Sequence, residues 1–226
     1  RAHLEEKSVV FEPPPPDVGA LASDMASDRA RFAEQEMSVV RKSLTRRDIA
    51  REVWEYTWPG DQLIIGSSRM IREFDRFVPG KKIPVWSNRG LSGIDGTIAT
   101  ARGFASGRHN AGLAGITRVV LGDLALLHDA GSLLLQESEQ ENSRLQVLVV
   151  VDGGGSLFDS LEVAETASRD AYGRVIFTPA EADLESLATA YGWSYRKAHD
   201  LGGLIEALAD TSKQLLIECP VERAEP

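Results

Sequence analysis

Two aspartates, each ending a run of aliphatic residues, carry most of the chemistry this sequence offers. Asp123 follows Val119-Val120-Leu121-Gly122; Asp152 follows Leu148-Val149-Val150-Val151 and precedes Gly153-Gly154-Gly155. Such runs read as parallel strands buried on both faces, and ligands of open α/β sheets sit outside the carboxyl ends of those strands. Two carboxylates there, beside bare glycine backbone, can hold a hard divalent cation and the diphosphate it bridges. A plainer alternative makes Asp123 and Asp152 helix caps and the glycines turns. For either segment alone, the two readings balance.

Further upstream, Gly66-Ser67-Ser68 closes a strand and opens a helix, where backbone donors and two hydroxyls suit an anion. An ordinary serine N-cap would explain the same residues. Arg72 lies one helical turn beyond Ser68, so both can face one site. The segment Trp86 to Gly96 sets Arg89 in a Gly- and Ser-rich loop, where backbone can approach a ligand closely. Arg89 adds a guanidinium fork suited to a carboxylate or phosphate.

Alternating elements must position these groups. Strands are predicted at Gln62 to Gly66, Ile83 to Trp86, Arg118 to Leu121, Gln146 to Val151, Trp193 to Lys197 and Gln214 to Glu218. Between them fall helices at Ser67 to Phe77, Ile94 to Ser106, Ala125 to Gln136, near Leu157 to Ala167, and Leu201 to Ala209 behind Asp200. Another helix is expected behind Thr178-Pro179-Ala180-Glu181, with Thr178 as N-cap. Before the first strand, Thr45-Arg46-Arg47-Asp48 is a capping-box pattern opening a helix whose Ile49, Ala50, Val53 and Trp54 share one core-facing side. The fold class is therefore α/β, a doubly wound, six-stranded parallel sheet flanked by helices. Pro13 to Pro16 force an extended segment. Residues 1–27 read as a linker or the remnant of a preceding domain, and 28–226 as the domain itself, opening on a helix with Phe32, Met37 and Val40.

Composition narrows the partners. The 226 residues are 42% hydrophobic, enough for one substantial core, and carry a net charge of −9 without a Lys/Arg-rich block. That argues against nucleic acid and anionic membrane surfaces. Cys219 is the sole cysteine, so an intrachain disulfide is excluded; it is expected as a small core residue. A soluble, cytoplasmic protein is expected, since neither a transmembrane-length apolar stretch nor a signal peptide is evident.

Four motifs together resemble one family. Gly66-Ser67-Ser68-x-x-Ile71-Arg72, Ser87-Asn88-Arg89-Gly90-x-x-Gly93-Ile94-Asp95-Gly96, Gly122-Asp123-Leu124-x-x-Leu127-His128-Asp129 and Gly154-Gly155-x-Leu157-Phe158 keep the order and spacing of the 2-succinyl-5-enolpyruvyl-6-hydroxy-3-cyclohexene-1-carboxylate synthases of menaquinone biosynthesis. The resemblance runs from about Arg41 to the C-terminus. It is to the C-terminal, diphosphate-binding domain, with the pyrimidine-binding and middle domains absent. It implies thiamine diphosphate with Mg2+ or Mn2+, decarboxylation of 2-oxoglutarate, and addition of the succinyl-semialdehyde unit to isochorismate. On that resemblance, Asp123, Asp152 and the Gly154 carbonyl hold the metal. Ser67, Ile94, Gly122, Asp123, Leu124 and Gly155 bind cofactor, with Ile94 beneath it. Ser68, Arg72 and Arg89 receive substrate carboxylates, and Leu157, Phe158 and Leu161 form an apolar wall. The activating glutamate belongs to the absent domain, so the chain alone is expected to be inactive. Cofactor sites between subunits imply a homo-oligomer, which the Gly/Ala face from Gly96 to Gly107 suits.

One departure stands out. The family usually has Asn at the position of Asp152, and Asn or Asp at that of Gly153. Asp keeps the oxygen donor but adds a negative charge near a diphosphate, so Asp152→Asn is expected to bind the cation at least as well. Two other readings stay open: an acetolactate-synthase-like decarboxylase or ligase, and a non-catalytic fragment that binds anions or serves in assembly.

Overall fold

In the computed structural model, the described residues are 43–91, 93–135 and 144–223, all within one compact unit, Arg41–Pro226. The linker expected over residues 1–27 and the helix expected from about Asp28 lie outside them. The chain enters helix α1 (Arg46–Glu55) behind Thr45, whose side chain accepts from the Asp48 N–H while Asp48 reaches back to the Thr45 N–H. It continues through β1 (Gln62–Ile65), α2 (Arg69–Phe77), β2 (Val85–Trp86), α3 (Thr97–Asn110), β3 (Thr117–Gly122) and α4 (Asp123–His128). Then come β4 (Leu145–Val151), α5 (Glu162–Thr166), α6 (Arg169–Ala171), a π-helical turn Tyr172–Phe177, α7 (Leu184–Ala190), β5 (Ser194–Lys197), α8 (Leu201–Ala209) and β6 (Gln214–Pro220).

All strand pairs are parallel, in the order β2-β1-β3-β4-β6-β5, as the alternating pattern predicts. Side-chain alternation divides the central strands between two cores. Val120, Leu148, Val150, Leu215, Ile217 and Cys219 pack with α1, α2 and α8 on one face. Val119, Leu121, Val147, Val149 and Leu216 pack against α3, α4 and α7 on the other. Each such buried aliphatic side chain stabilises the fold by roughly 1.5–3 kcal/mol. Cys219 is fully buried, which pushes its thiol up to about 12.

Strand order and register bring the site together. From β1 the chain winds outward to β2, then crosses back to β3 on the other side of β1, so a crevice opens where the winding reverses. Ile65 pairs with Val120 and Gly122 with Val150, so the loops after β1, β3 and β4 leave the sheet at nearly one level.

Several element boundaries differ from the predicted ones. The helix after β3 stops at His128, because Asp129 turns its carboxylate to the Ile98 and Ala99 N–H groups at the start of α3, at 2.6 and 3.3 Å. The run near Leu157 to Ala167 is a 3-10 turn, Ser156–Phe158, followed by the short α5. Thr178 is not a helix N-cap. It sits in the left-handed region at φ 46°, and α7 begins behind Asp183, whose side chain accepts from the Ser186 N–H at 3.0 Å. The cause lies far away in sequence. The Phe177 carbonyl accepts from the Gly155 N–H at 2.6 Å and the Ala180 N–H donates to Gly153 at 3.0 Å, so this segment is drawn onto the loop after β4.

Candidate metal and diphosphate site

A cavity of about 190 Å3 lies over the carboxyl ends of β1, β3 and β4. Among its walls are Ser67, Ser68, Ile94, Gly122, Asp123 and Leu124. Asp152, Gly154, Gly155, Leu157 and Phe158 complete the set that the sequence singles out and this cavity unites. Arg72, Arg89 and Leu161 are exposed and lie outside the lining. Arg72 turns back one helical turn to donate to the Ser68 carbonyl at 3.3 Å.

The β3 and β4 loops are tied to each other. Asp123 Oδ2 accepts from the Gly153 N–H at 2.8 Å, and its Oδ1 from the Leu124 N–H at 2.7 Å. Burial pushes the Asp123 carboxyl above its ordinary range, and the neighbouring Asp152 charge adds to that shift. After β4, Gly153 and Gly154 take φ of 84° and 156°. A Cβ on Gly154 would come within 2.6 Å of the Phe177 carbonyl oxygen, so glycine is required where this loop meets its support.

The serines serve as local braces. Ser68 caps α2, accepting from the Met70 N–H at 3.2 Å, which leaves its own proton to donate. Ser67 Oγ donates to the Asn88 carbonyl at 2.9 Å, and Asn88 Nδ2 donates to Gly96 and Thr100 at 3.1 and 3.0 Å. The β1 and β2 loops are thereby fastened to the start of α3.

A divalent cation fits the donor chemistry. Two carboxylates and backbone carbonyls offer only oxygen, the ligand type that Mg2+ and Mn2+ take. The Gly153 carbonyl is used by Ala180, whereas that of Gly154 accepts no hydrogen bond among the described residues. Two larger cavities are open grooves elsewhere. One, of about 540 Å3, lies between α2 and the β2 edge; the other, of about 390 Å3, runs along α3. Neither touches Asp123 or Asp152.

The chain is 48% identical over 227 residues to a 2-succinyl-5-enolpyruvyl-6-hydroxy-3-cyclohexene-1-carboxylate synthase of Clavibacter michiganensis, covering 99% of this chain and 38% of that one. To the synthase of the same name from Leifsonia xyli it is 49% identical, over 92% of this chain and 36% of the relative. By sequence, the chain belongs to this synthase family. It spans little more than a third of these relatives' length, and the match is wider than the stretch from Arg41 that carries the motifs. No family model matches the chain. In fold it is similar to a benzoylformate decarboxylase from Polynucleobacter necessarius (TM-score 0.68, 14% identity, 81% of this chain and 34% of that one). It is likewise similar to a putative thiamin diphosphate-dependent enzyme from Mycobacterium smegmatis (TM-score 0.63, 12% identity, 80% and 32%).

Two arginines on the cavity wall are absent from the sequence-derived set. Arg69, in the first turn of α2, faces Glu73 at 3.7 Å. Arg46, in the first turn of α1, is buried against Asp152 at 2.5 Å. The one sequence signal for Arg46 is the family departure itself: a carboxylate in place of an amide calls for a counter-charge.

Proposed function

We infer that this chain is the diphosphate- and metal-binding part of a thiamine-diphosphate-dependent synthase. On this reading the synthase decarboxylates 2-oxoglutarate and joins the succinyl-semialdehyde unit to isochorismate. The observation that carries it is the single cavity at the winding reversal, joining Asp123, Asp152 and Gly154 to the Ser67-Ser68 and Gly122-Leu124 turns. Asp123, Asp152 and the Gly154 carbonyl would hold Mg2+ or Mn2+. Gly122, Leu124, Gly155 and Ser67 would cradle the diphosphate, with Ile94 against the cofactor. When bound, thiamine diphosphate supplies a stabilised carbon nucleophile and an electron sink for decarboxylation.

The protein's own groups do the rest. Ser68, Arg72 and Arg89 hold substrate carboxylates; Leu157 and Phe158 form the apolar wall of the cavity, and Leu161, exposed beside it, would extend that wall. With Arg72 and Arg89 exposed, the substrate side of the pocket would be completed by further parts of the enzyme. The activating carboxylate would come from a pyrimidine-binding domain outside these 226 residues, which on this reading would be inactive alone. A homo-oligomer fits the exposed α3 surface, where Gly103 and Gly107 lie near Phe104 and Leu113. Trp86 on the β2 edge is 47% exposed and stacks on Phe104 at 5.0 Å. The working location is the cytoplasm, in keeping with the lack of any helix among the described residues long and apolar enough to cross a membrane.

Calorimetric titration of the full-length protein with thiamine diphosphate, with and without Mg2+, tests this reading. Binding that requires Mg2+, together with turnover of 2-oxoglutarate and isochorismate, is expected. Mg2+-independent binding, or turnover with a second pyruvate in place of isochorismate, would overturn it. Synthase turnover by the 226-residue chain alone would refute the division of labour between domains.

A further inference from the structure

Arg46 breaks a local rule. A cation in the first turn of a helix opposes the helix dipole, and a long charged side chain there normally reaches into water. Its neighbour Arg47 does stay exposed, over the Phe77 ring at 4.6 Å. Arg46 instead is 1% exposed and runs into the candidate metal cavity. Its Nη2 donates to Asp152 Oδ2 at 2.5 Å and to Ser156 Oγ at 3.4 Å, while Nη1 donates to the Glu222 carbonyl at 2.9 Å. The Ser156 hydroxyl donates to the same Oδ2. Two donors therefore occupy one oxygen of Asp152. Among the described residues, its Oδ1 meets only a long contact from the Gly154 N–H, at 3.3 Å.

We propose that Arg46 is the positioning residue for Asp152, holding Oδ2 and cancelling its charge so that Oδ1 faces a divalent cation as a neutral amide oxygen would. The pair Arg46–Asp152 then does the electrostatic work of the asparagine usual at this position, and the fork joins α1, the β4 loop and the segment after β6 in one clamp. This revises the expectation drawn from the sequence. Asp152→Asn alone removes the carboxylate that the Arg46 guanidinium neutralises and leaves that positive charge beside the cation site, so it weakens cation binding.

The proposal rests on the metal-site reading, and one set of titrations separates the two. Mn2+ binding to the full-length protein is followed by electron paramagnetic resonance with excess thiamine diphosphate, and thermal unfolding is recorded without metal. Arg46→Gln is expected to weaken Mn2+ binding roughly 10- to 100-fold, the range for a residue that orients a metal ligand. Asp152→Asn should also weaken it. The double variant R46Q/D152N should recover most of the loss, because the two changes remove one matched pair. Arg46→Lys keeps the charge but cannot reproduce the fork onto Asp152, Ser156 and Glu222, so it should fold and still bind Mn2+ more weakly than the parent. Unchanged Mn2+ affinity in Arg46→Gln or Arg46→Lys, with only the unfolding midpoint lowered, would overturn the proposal, as would losses that simply multiply in the double variant. If Asp123→Ala also leaves Mn2+ binding intact, the metal-site reading falls and this proposal with it.

Discussion

The two ends of the parallel sheet each bury an arginine–aspartate pair, and the pair at the carboxyl end lines a cavity. At the amino end, Arg118 on β3 meets Asp61 at 2.9 Å and Gln146 at 2.9 Å, while Asp61 also accepts from the Ile116 and Trp58 N–H groups. Gln146 Nε2 donates in turn to the Leu208 and Asp210 carbonyls. Burial draws the Arg118 pKa below its ordinary value, and Asp61 opposes that shift. The network is closed and ties strands to their connections. At the carboxyl end, Arg46 satisfies one oxygen of Asp152. Asp123 is held by backbone amides and not by a cation among the described residues. A buried charge pair by itself is therefore weak evidence of function; the carboxylate left over beside it is the telling group.

That contrast can be broken by exchanging which property each end loses. Arg118→Leu should have the largest effect. Removing one partner of a buried pair strands the other, at about 3–5 kcal/mol. Chemical denaturation should register that loss, while the Mn2+ affinity of the folded protein stays at the parent value. Asp123→Ala should do the reverse. Divalent cation binding should fall beyond the roughly 100-fold ceiling for residues that merely orient a ligand. Stability should fall by less than in Arg118→Leu: the Gly153 and Leu124 N–H groups lose their acceptor, at about 1–3 kcal/mol each, but burial and Asp152 already disfavour that carboxylate.

The sequence made the central strands plain because buried parallel strands need unbroken aliphatic runs, and β3, β4 and β6 have them. It also made α8 plain, since Asp200 caps its Gly203 N–H at 2.8 Å through contacts three residues apart. Features set by distant partners were hidden. Thr178-Pro179 has the local form of a helix start, but the docking of Gly155 on the Phe177 carbonyl decides its backbone. Asp129 looks like part of a motif at the ligand edge and instead caps α3 from 31 positions away. Arg46 sits in a capping box whose local pattern gives no reason to bury it; its partner Asp152 is 106 positions on. The Gly-Asp and Gly-Gly turns were legible because cavity, strand end and glycine are all encoded within a few residues.

Smaller effects sharpen the boundary of the site. In the full-length protein, Arg72→Lys and Arg89→Lys should each raise KM for 2-oxoglutarate or isochorismate. The cost should be about 1.5–3 kcal/mol per charged hydrogen bond, with thiamine diphosphate affinity kept. Equal loss of cofactor affinity would make them diphosphate ligands.

The smallest effect is expected behind the β4 loop. Arg223 donates to both Asp159 oxygens at 2.7 and 2.8 Å and lies 3.7 Å over the Phe177 ring that backs Gly154. Hydrogen bonding from Arg223 holds the Asp159 carboxyl below its ordinary value of 3.8. This contribution is thus complete above the ordinary Asp range and is lost as pH falls through the depressed value. Arg223→Gln should cost about 0.2–1 kcal/mol at neutral pH, as for other solvent-accessible pairs. Denaturation curves of parent and variant should converge in strong acid.

The most direct test of the metal-site reading is anomalous diffraction from crystals of the full-length protein grown with Mn2+ and thiamine diphosphate. A manganese peak within coordination distance of the Asp123 carboxylate, Asp152 Oδ1 and the Gly154 carbonyl is the expected result, with Arg46 still on Asp152 Oδ2. A peak bound elsewhere, or an empty cavity at saturating Mn2+ and cofactor, would contradict it.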